Sequence, residues 1–293
     1  MDVAFLQSIP ENNGAMFQVA SNFNGVEAID ECSYPDNEKF LTNYSIDNTQ
    51  GPAASMSAGA AAISRVLLPF YSKDTPADMW KQTSDRQVEF LEELEDYFTV
   101  INGYIVQRGT ERDPENDWDI VGHTHVGIQI GAQVINGHIT RKGRDEVFMD
   151  GIPANSGQYV SQVFCAAMNL MQGDTGEENC MHLTAKRVDK LLLEAAYRGT
   201  YLAAIRHGAP RLFLTLIGGG VFGNSEKDIF EAIEKVHIDT ACTEKNTTLE
   251  EVRVILFDCT ERMREFLNSL KSKGVEVEIH CYKKCEKSIY TEF

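Results

Sequence analysis

The sequence predicts an α/β protein with a largely parallel sheet that carries helices on both faces. From residue 211 onward, apolar runs too short for buried helices alternate with longer amphipathic stretches. That order is typical of parallel strands joined by helices. The first of these runs, 211–217, leads into a glycine cluster, and a helical pattern follows at once. Ligands of such sheets bind at the carboxyl ends of the strands, so this junction is the first place to look for function.

The N-terminal part predicts two strands, a loop and a helix. A short strand is expected within 1–13 and a second at Met16–Ala20, followed by a long acidic loop over 28–50. A helix should begin at Gly51 and Pro52, because proline is favoured at the first helical position. Small residues keep its first turns slim, which suits either a closely bound ligand or tight helix packing.

The middle of the chain is less regular. Ser84 and Gln87 form a capping box for a helix to about Phe98, and strands are predicted at 103–107 and 126–135. His123 and His125 are two residues apart and would share one face of a strand, as a metal pair does. The sequence offers no clear third ligand, so we expect no metal here.

The C-terminal half predicts three strands and four helices. The first helix is apolar and covers 160–172, and the second, capped by Thr184, runs to about His207. No repeat or linker interrupts the chain, so we expect one domain over 1–293 with a large insertion at about 66–158. The remaining elements are the strand at 211–217, a helix capped by Asn224 or Ser225, a strand at Val252–Phe257, a helix from Thr260 to Lys273 and a strand at Val275–Ile279.

Composition restricts the class of protein. The 293 residues carry a formal net charge of −17, which argues against nucleic acid or an anionic membrane as a partner. No apolar run reaches the length of a membrane span, and the N-terminus lacks the features of a signal peptide. Seven irregularly spaced cysteines fit a reducing compartment, so we expect a cytoplasmic protein; Cys165 should be a buried thiol.

The glycine cluster predicts an anion site. Gly218, Gly219, Gly220 and Gly223 separate the 211–217 strand from a helix. Glycines let the backbone approach a phosphate, the loop N–H groups can donate to it, and the helix dipole favours negative charge. The alternative is a tight turn that merely tolerates glycine.

Three strand ends together carry a resemblance to a known family: Asn22–Glu27, Gly218–Asn224 and Phe257–Asp258. The segment 217–224, Ile-Gly-Gly-Gly-Val-Phe-Gly-Asn, and the strand ending in Asn22 to Glu27 resemble those of macrodomains, three-layer α/β/α proteins with a mixed sheet that bind ADP-ribose. The segments 17–24, 47–53 and 162–167 are similar to a divergent branch that removes ADP-ribose from arginine side chains. The sequence departs from ordinary macrodomains in lacking their Asn-Ala-Ala-Asn strand end and their Gly-Gly-Gly-Val first loop, which Gly51-Pro52-Ala53 replaces.

The resemblance implies a set of ligand contacts. The 218–224 loop would hold the diphosphate and the distal ribose, the helix start would hold the other side of the diphosphate, and Phe257 would stack on adenine. Asn22 and Asn24 would approach the ribose hydroxyls, and no cofactor is implied. The full set is Gln7, Asn22, Asn24, Gln50, Gly51, Pro52, Ala53, Ser55, Gly218, Gly219, Gly220, Val221, Phe222, Gly223, Asn224, Phe257 and Asp258.

Carboxylates are expected to perform the chemistry that the resemblance implies. Release of arginine from ribose is N-glycosidic cleavage, in which a carboxylate stabilises positive charge at the anomeric carbon or orients water. Glu27 and Asp47 flank the expected phosphate loops, and Asp36 comes third. An ADP-ribosyl-arginine hydrolase acting on ADP-ribosylated protein is therefore expected. The alternatives are a reader that binds ADP-ribose without turnover and a hydrolase of a free nucleotide derivative.

Overall fold

The computed structural model describes residues 3–28, 30–36, 40, 50–108, 114–142, 146–152, 156–171, 183–243, 248–256 and 260–278. Its strands are β1 (Met16–Ala20), β2 (Phe98–Ile101), β3 (Tyr104–Arg108), β4 (Gly127–Gln133), β5 (Asn136–Lys142), β6 (Glu146–Gly151), β7 (Tyr159–Cys165), β8 (Arg211–Leu214) and β9 (Glu251–Val254). Its helices are α1 (Val3–Ser8), α2 (Gln50–Ser57), α3 (Gly59–Leu67), α4 (Trp118–Val121), α5 (Leu183–Arg206), α6 (Glu226–Thr243) and α7 (Glu261–Ser272).

The main sheet is mixed and has the order β4-β7-β1-β8-β9. β1 pairs in parallel with β7 and β8, and β8 pairs in parallel with β9. β4 runs antiparallel to β7 at one edge, with an irregularity between Gln129 and Ala132. Two antiparallel hairpins, β2-β3 and β5-β6, lie outside this sheet.

Alternate residues of the central strands face two layers of helices. Phe17 and Val19 of β1 belong to one buried cluster, which includes Val3 and Leu6 of α1 and Ala54 of α2. Met16 belongs to the opposite cluster, which contains residues of α5, α6 and α7. Phe17 stacks on Phe213 with 4.3 Å between ring centroids. Because the central strands are buried on both faces, the three-layer α/β/α arrangement predicted from the sequence is confirmed.

The apolar segment 160–172 was predicted to be a helix, and this prediction is wrong. Its first part is β7, which lies between β4 and β1, and the chain is irregular over 166–171. A strand that is buried on both faces has apolar residues at consecutive positions, which obscures the alternation that identifies strands. Val160 and Phe164 pack on one side of the sheet, and Val163 packs on the other.

The helix predicted from Ser84 to Phe98 is also absent. The segment contains a bridge between Thr83 and Arg86 and a short 3-10 turn at Glu92–Leu94. Its backbone groups bond to other parts of the chain; the N–H of Phe90, for example, donates to the carbonyl of Phe23 at 2.8 Å. Tertiary contacts therefore override the local capping signal.

Both chain ends also differ from expectation within the described residues. The strand predicted within 1–13 is α1 followed by a 3-10 turn at Pro10–Asn12, because Val3, Leu6 and Gln7 share one helical face. The strand predicted from Val275 is absent over 275–278. The strand predictions at Met16–Ala20, 103–107 and 126–135 are confirmed, and Thr260 caps α7 by accepting from Met263 N at 3.1 Å.

Candidate functional site

Four segments lie at or beside the carboxyl ends of the parallel strands. They are residues 21–28 after β1 (the Asn loop), 166–171 after β7, 217–224 after β8 (the glycine loop) and the first turn of α2. Parallel strands end at the same edge of a sheet, so the loops that follow β1, β7 and β8 meet there. Residues 166–171 were not predicted at this edge, because the sequence pattern assigned them to a helix.

The Asn loop has a fixed, internally bonded shape. Asn22 N donates to the Val26 carbonyl at 2.8 Å, and Gly25 N donates to the Asn22 carbonyl at 2.9 Å. The Asn24 amide donates to Gln87 Oε1 at 2.8 Å and accepts from Val26 N at 3.3 Å. Asn24 is 1% exposed, so its side chain supports the loop and is not presented to a ligand as the resemblance implied.

Glu27 lies against the start of α2. A Cβ built on Gly51 would stand 1.8 Å from Glu27 Oε1 and 3.3 Å from the Cβ of Ala20. The carboxylate therefore adjoins both the end of β1 and the first turn of the helix, where the helix dipole favours negative charge. Gly51 and Pro52 are buried, and Glu27 already takes the space beside Gly51 that the resemblance gave to the diphosphate.

The glycine loop packs on residues 166–171. Gly218 and Gly223 both have φ of +72°. A Cβ on Gly218 would come within 2.7 Å of the Ala167 Cβ, and one on Gly223 within 2.8 Å of Met171. Asn224 Nδ2 donates to the Met168 carbonyl at 2.9 Å. These two glycines are therefore required both by conformation and by close packing.

The exposed part of the glycine loop offers backbone donors. The N–H groups of Gly220, Val221 and Phe222 bond to no acceptor within the part of the chain that the structure describes. A Cβ on Gly220 would meet nothing within 4 Å, and Val221 is 69% exposed. Such adjacent N–H groups before a helix can bind an oxyanion.

Phe222 connects the glycine loop with the Asn loop. Its ring lies 6.0 Å from that of Tyr104, and it packs against the cluster that contains Val26 and Ala28. The Tyr104 hydroxyl donates to the Ala28 carbonyl at 2.6 Å. Phe222 is half-buried, so one side of its ring holds the loops together.

Four buried polar atoms in or next to these segments have no hydrogen-bond partner within the described residues. Buried polar groups are almost always hydrogen-bonded, so these atoms retain the capacity to bond a ligand or a water molecule. Within the described residues, each of the loops after β1 and β8 contributes at least one, and α2 contributes another. The atoms are Asn22 Nδ2, Ser55 Oγ, Thr215 Oγ1 and Asn224 Oδ1.

Several predicted site residues are placed elsewhere or are not described. Gln7 is fully buried, donates to the Ala54 carbonyl at 3.0 Å and accepts from Gln162 at 2.8 Å, so its amide is used inside the protein rather than at an adenine edge. Asp47, Phe257 and Asp258 lie outside the described residues, and the side chains of Gln50 and Ala53 are not described.

The remaining candidates take part in surface contacts. Asp36 is exposed, and its Oδ1 accepts from Ser84 N at 2.8 Å. His123 and His125 precede β4 rather than sharing one of its faces, and their Nε2 atoms lie 3.8 and 3.1 Å from the Glu93 carboxylate. No cluster suited to a metal ion was found among the described residues.

The segment that precedes β2 supports the Asn loop, which sequence reasoning missed. Gln82 Nε2 donates to the Asn24 carbonyl at 3.1 Å, and Gln87 bonds the Asn24 amide. Gln87 lies in the stretch that the sequence pattern assigned to a helix, and Gln82 lies just before it. Burial raises the pKa of the neighbouring Glu89 to about 7, although its carboxylate accepts from Leu91 N.

A cavity of about 560 Å³ is lined in part by Asn24 and Gly25 of the Asn loop. It lies between α3, residues 82–90 and β4, and its lining is mostly apolar. Arg65 lines it, with the guanidinium 3.7 Å from the Phe164 ring centroid and Nη1 donating to the Gly25 carbonyl at 2.8 Å. Arg65 therefore also supports the Asn loop.

Comparison with known proteins assigns no family. No protein-family model matches the sequence, and no curated protein matches it significantly. One matching solved structure is the X-ray crystal structure of poly(ADP-ribose) glycohydrolase from Thermomonospora curvata, with 17% identity and a TM-score of 0.30. The match covers 49% of this chain and 46% of that chain. A similarity at this level assigns neither activity nor substrate.

The described α-helices are 4 to 24 residues long. None of them combines sufficient length with sufficient apolar character to cross a bilayer.

Proposed function

We propose that this chain is an ADP-ribosylhydrolase that releases ADP-ribose from modified arginine side chains. The observation that carries the proposal is the position of Glu27, whose carboxylate lies between the end of β1 and the first turn of α2. The glycine loop follows β8, the strand next to β1, and provides N–H groups that no described residue accepts. A donor-rich loop and a carboxylate are the two components that such a hydrolysis needs.

The proposed reaction breaks the bond between the anomeric carbon and a guanidine nitrogen. Water adds its oxygen to that carbon, and its two protons are shared between the new hydroxyl and the leaving guanidine, so atoms and charge balance. The Glu27 carboxylate orients the water, accepts its proton and stabilises the positive charge that develops on the ribose. The glycine loop binds the diphosphate.

Arginine is the proposed acceptor because guanidinium pairs with carboxylates in a fork geometry. Glu27 is one such group, Asp36 belongs to the segment that follows the Asn loop, and Asp47 precedes α2 in the sequence. These acidic residues would also repel the additional phosphate of a free nucleotide derivative, which disfavours such a substrate.

A reader of ADP-ribose is the second candidate. It is favoured by the contact of Glu27 with α2, because a carboxylate at a helix N-terminus stabilises the helix without any catalytic role. A reader would use the same glycine loop but would release nothing.

Two substitutions test the proposal on the intact chain. Glu27→Gln should lower release of ADP-ribose from an arginine-modified protein by roughly 10²–10⁴-fold. Calorimetry should show that ADP-ribose binding is retained, since a neutral side chain does not repel phosphate. Gly220→Glu should fold normally, because its Cβ meets open space, and should weaken ADP-ribose binding more than about tenfold by placing a carboxylate in the loop.

Glu95→Gln, at an exposed glutamate outside these loops, is the matched control and should behave like the wild type. Binding without release by the wild type would leave the reader. Absence of ADP-ribose binding by the wild type would reject both candidates.

A further inference from the structure

A series of three hydrogen bonds, each donated by a side-chain amide group, joins the Asn loop to the tip of the β2-β3 hairpin. Asn24 Nδ2 donates to Gln87 Oε1 at 2.8 Å, and Gln87 Nε2 donates to Asn102 Oδ1 at 2.7 Å. Asn102 Nδ2 then donates to the Glu31 carbonyl at 2.7 Å. The last of these hydrogen bonds therefore reaches the segment that follows the Asn loop. The hairpin tip is thus hydrogen-bonded to residues before and after Glu27 in the sequence.

The hairpin tip is fitted against the Asn loop. Asn102 and Gly103 have φ of +50° and +79°, so both lie in the left-handed region. A Cβ on Gly103 would stand 2.6 Å from Asn24 Oδ1 and 2.8 Å from the Asn22 Cβ. The Gly103 carbonyl also accepts from Phe23 N at 2.9 Å. The tip thus contacts the loop through backbone and side chain.

These contacts reach the residue before Glu27. Asn24 Oδ1 accepts from Val26 N, and the Val26 carbonyl accepts from Asn22 N. The orientation of the Asn24 amide therefore sets the backbone at Val26, and the next side chain is the carboxylate beside Gly51. Gln87 fixes the orientation of the Asn24 amide, because its Oε1 accepts a hydrogen bond from Asn24 Nδ2.

We propose that Gln87 and Asn102 are positioning residues for the Glu27 carboxylate, an inference that rests on the function proposed above. Neither residue needs to touch the substrate, since each acts through the Asn loop. The β2-β3 hairpin, whose place in the sequence suggested no role, would thereby hold the catalytic geometry. A carboxylate displaced by a fraction of an ångström still permits binding of the nucleotide but loses rate.

Three variants interrupt this series of hydrogen bonds at different points. Gln87→Glu keeps an acceptor for Asn24 but loses the donor to Asn102. Asn102→Asp keeps the acceptor for Gln87 but loses the donor to the Glu31 carbonyl. Asn102→Gly keeps the left-handed backbone and removes the amide. Gln129→Glu is the matched control, since Gln129 is also half-buried and donates across to α3, at 3.2 Å to the Ala61 carbonyl and 2.7 Å to Ser64.

Steady-state release from an arginine-ADP-ribosylated protein, calorimetry with ADP-ribose and thermal unfolding form the test. For Gln87→Glu we expect kcat to fall about tenfold while the ADP-ribose Kd stays within about twofold. The ratio of its kcat to that of the wild type should rise as the pH falls from about 6 to about 4, because an ordinary glutamate carboxyl group becomes protonated over that range and then regains a donor for Asn102. Both Asn102 variants should lower kcat with Kd retained.

The outcomes separate this inference from the function on which it rests. If the wild type releases ADP-ribose but the Gln87 and Asn102 variants lose no more kcat than Gln129→Glu, the positioning role is wrong and the hydrolase stands. A kcat ratio that stays constant with pH would also overturn it. If the wild type releases nothing, the proposed function fails first and the positioning role fails with it.

Discussion

At the scale of single residues, Glu27 depends on the absence of a side chain at Gly51. Any Cβ there would occupy the position of Glu27 Oε1, so even Gly51→Ala must displace the carboxylate. Gly220 is the opposite case, because a side chain there points into open space. Substitution at Gly51 therefore perturbs Glu27, whereas substitution at Gly220 perturbs only what binds to the loop.

Glu89 gives a residue-scale prediction about pH. Burial raises its pKa to about 7, with a smaller contribution from the neighbouring Glu92. Between the ordinary glutamate range and pH 7, the folded protein holds a proton on Glu89 that the unfolded chain has released. The unfolded state then binds fewer protons, so this group lowers the free energy of unfolding as pH rises through that window.

Urea unfolding of the wild type and Glu89→Gln at pH 5 and pH 7.5 measures the effect. The glutamine variant can still accept from Leu91 N and should gain roughly 1–3 kcal/mol relative to the wild type between the two pH values. A difference that does not change with pH would show that Glu89 titrates normally in the folded protein.

At the scale of elements, replacing glycine by alanine at two positions of the glycine loop should change stability by different amounts. Gly218→Ala introduces a Cβ at φ of +72°, 2.6 Å from Asn224 Nδ2 and 2.7 Å from the Ala167 Cβ. It should reduce the free energy of unfolding by about 1–3 kcal/mol. Gly220→Ala meets no neighbour within 4 Å and should change stability by less than about 0.5 kcal/mol.

Thermal and chemical unfolding of these two variants provide the measurement, with each serving as the control for the other. Equal destabilisation would mean that neither the left-handed backbone of Gly218 nor its contact with residues 166–171 determines the requirement for glycine there. Greater destabilisation at Gly220 would contradict the described loop.

Elements with a strong local signal were predictable from the sequence, and those defined by distant contacts were not. Thr260 caps α7 through its own side chain, and the 3.6-residue pattern of α5 and α6 is local. β7 could not be identified, because Val160, Val163 and Phe164 are buried from both sides by elements far away in the chain. The Ser84 and Gln87 pattern failed for the same reason, since Gln87 bonds Asn24 and Asn102.

At the scale of the whole molecule, the position of the candidate site was predictable and its internal support was not. Glycines 218 to 223 and the Asn loop follow strands with clear apolar patterns, so their meeting at one sheet edge follows from parallel pairing. The fit of the hairpin tip against Asn22 and Asn24 depends on folding of residues 98–108 onto a loop about 80 positions earlier. Nothing in the local sequence encodes that contact.

The net charge of −17 gives the final prediction at this scale. Forty-four acidic residues face 27 basic ones, so the folded state carries repulsion that salt should screen. Glu194 forms ion pairs with Arg198 at 2.9 Å and with Lys235 at 2.6 Å. Salt weakens such pairs, so they act against the stabilisation by salt, but they involve only a few of the acidic residues. Repulsion should therefore prevail in the response to salt.

Raising NaCl from about 0.02 to 0.3 M should increase Tm, because the screening length falls below about 10 Å over that range. A stabilisation of about 1 kcal/mol would correspond to roughly 2–4 °C. Replacing exposed Glu95 and Glu265 by lysine changes the charge by +2 at each site, from −17 to −13, and should reduce the slope of Tm against salt. A Tm that falls with salt in both proteins would instead mean that ion pairs, rather than net repulsion, dominate the electrostatic contribution to stability.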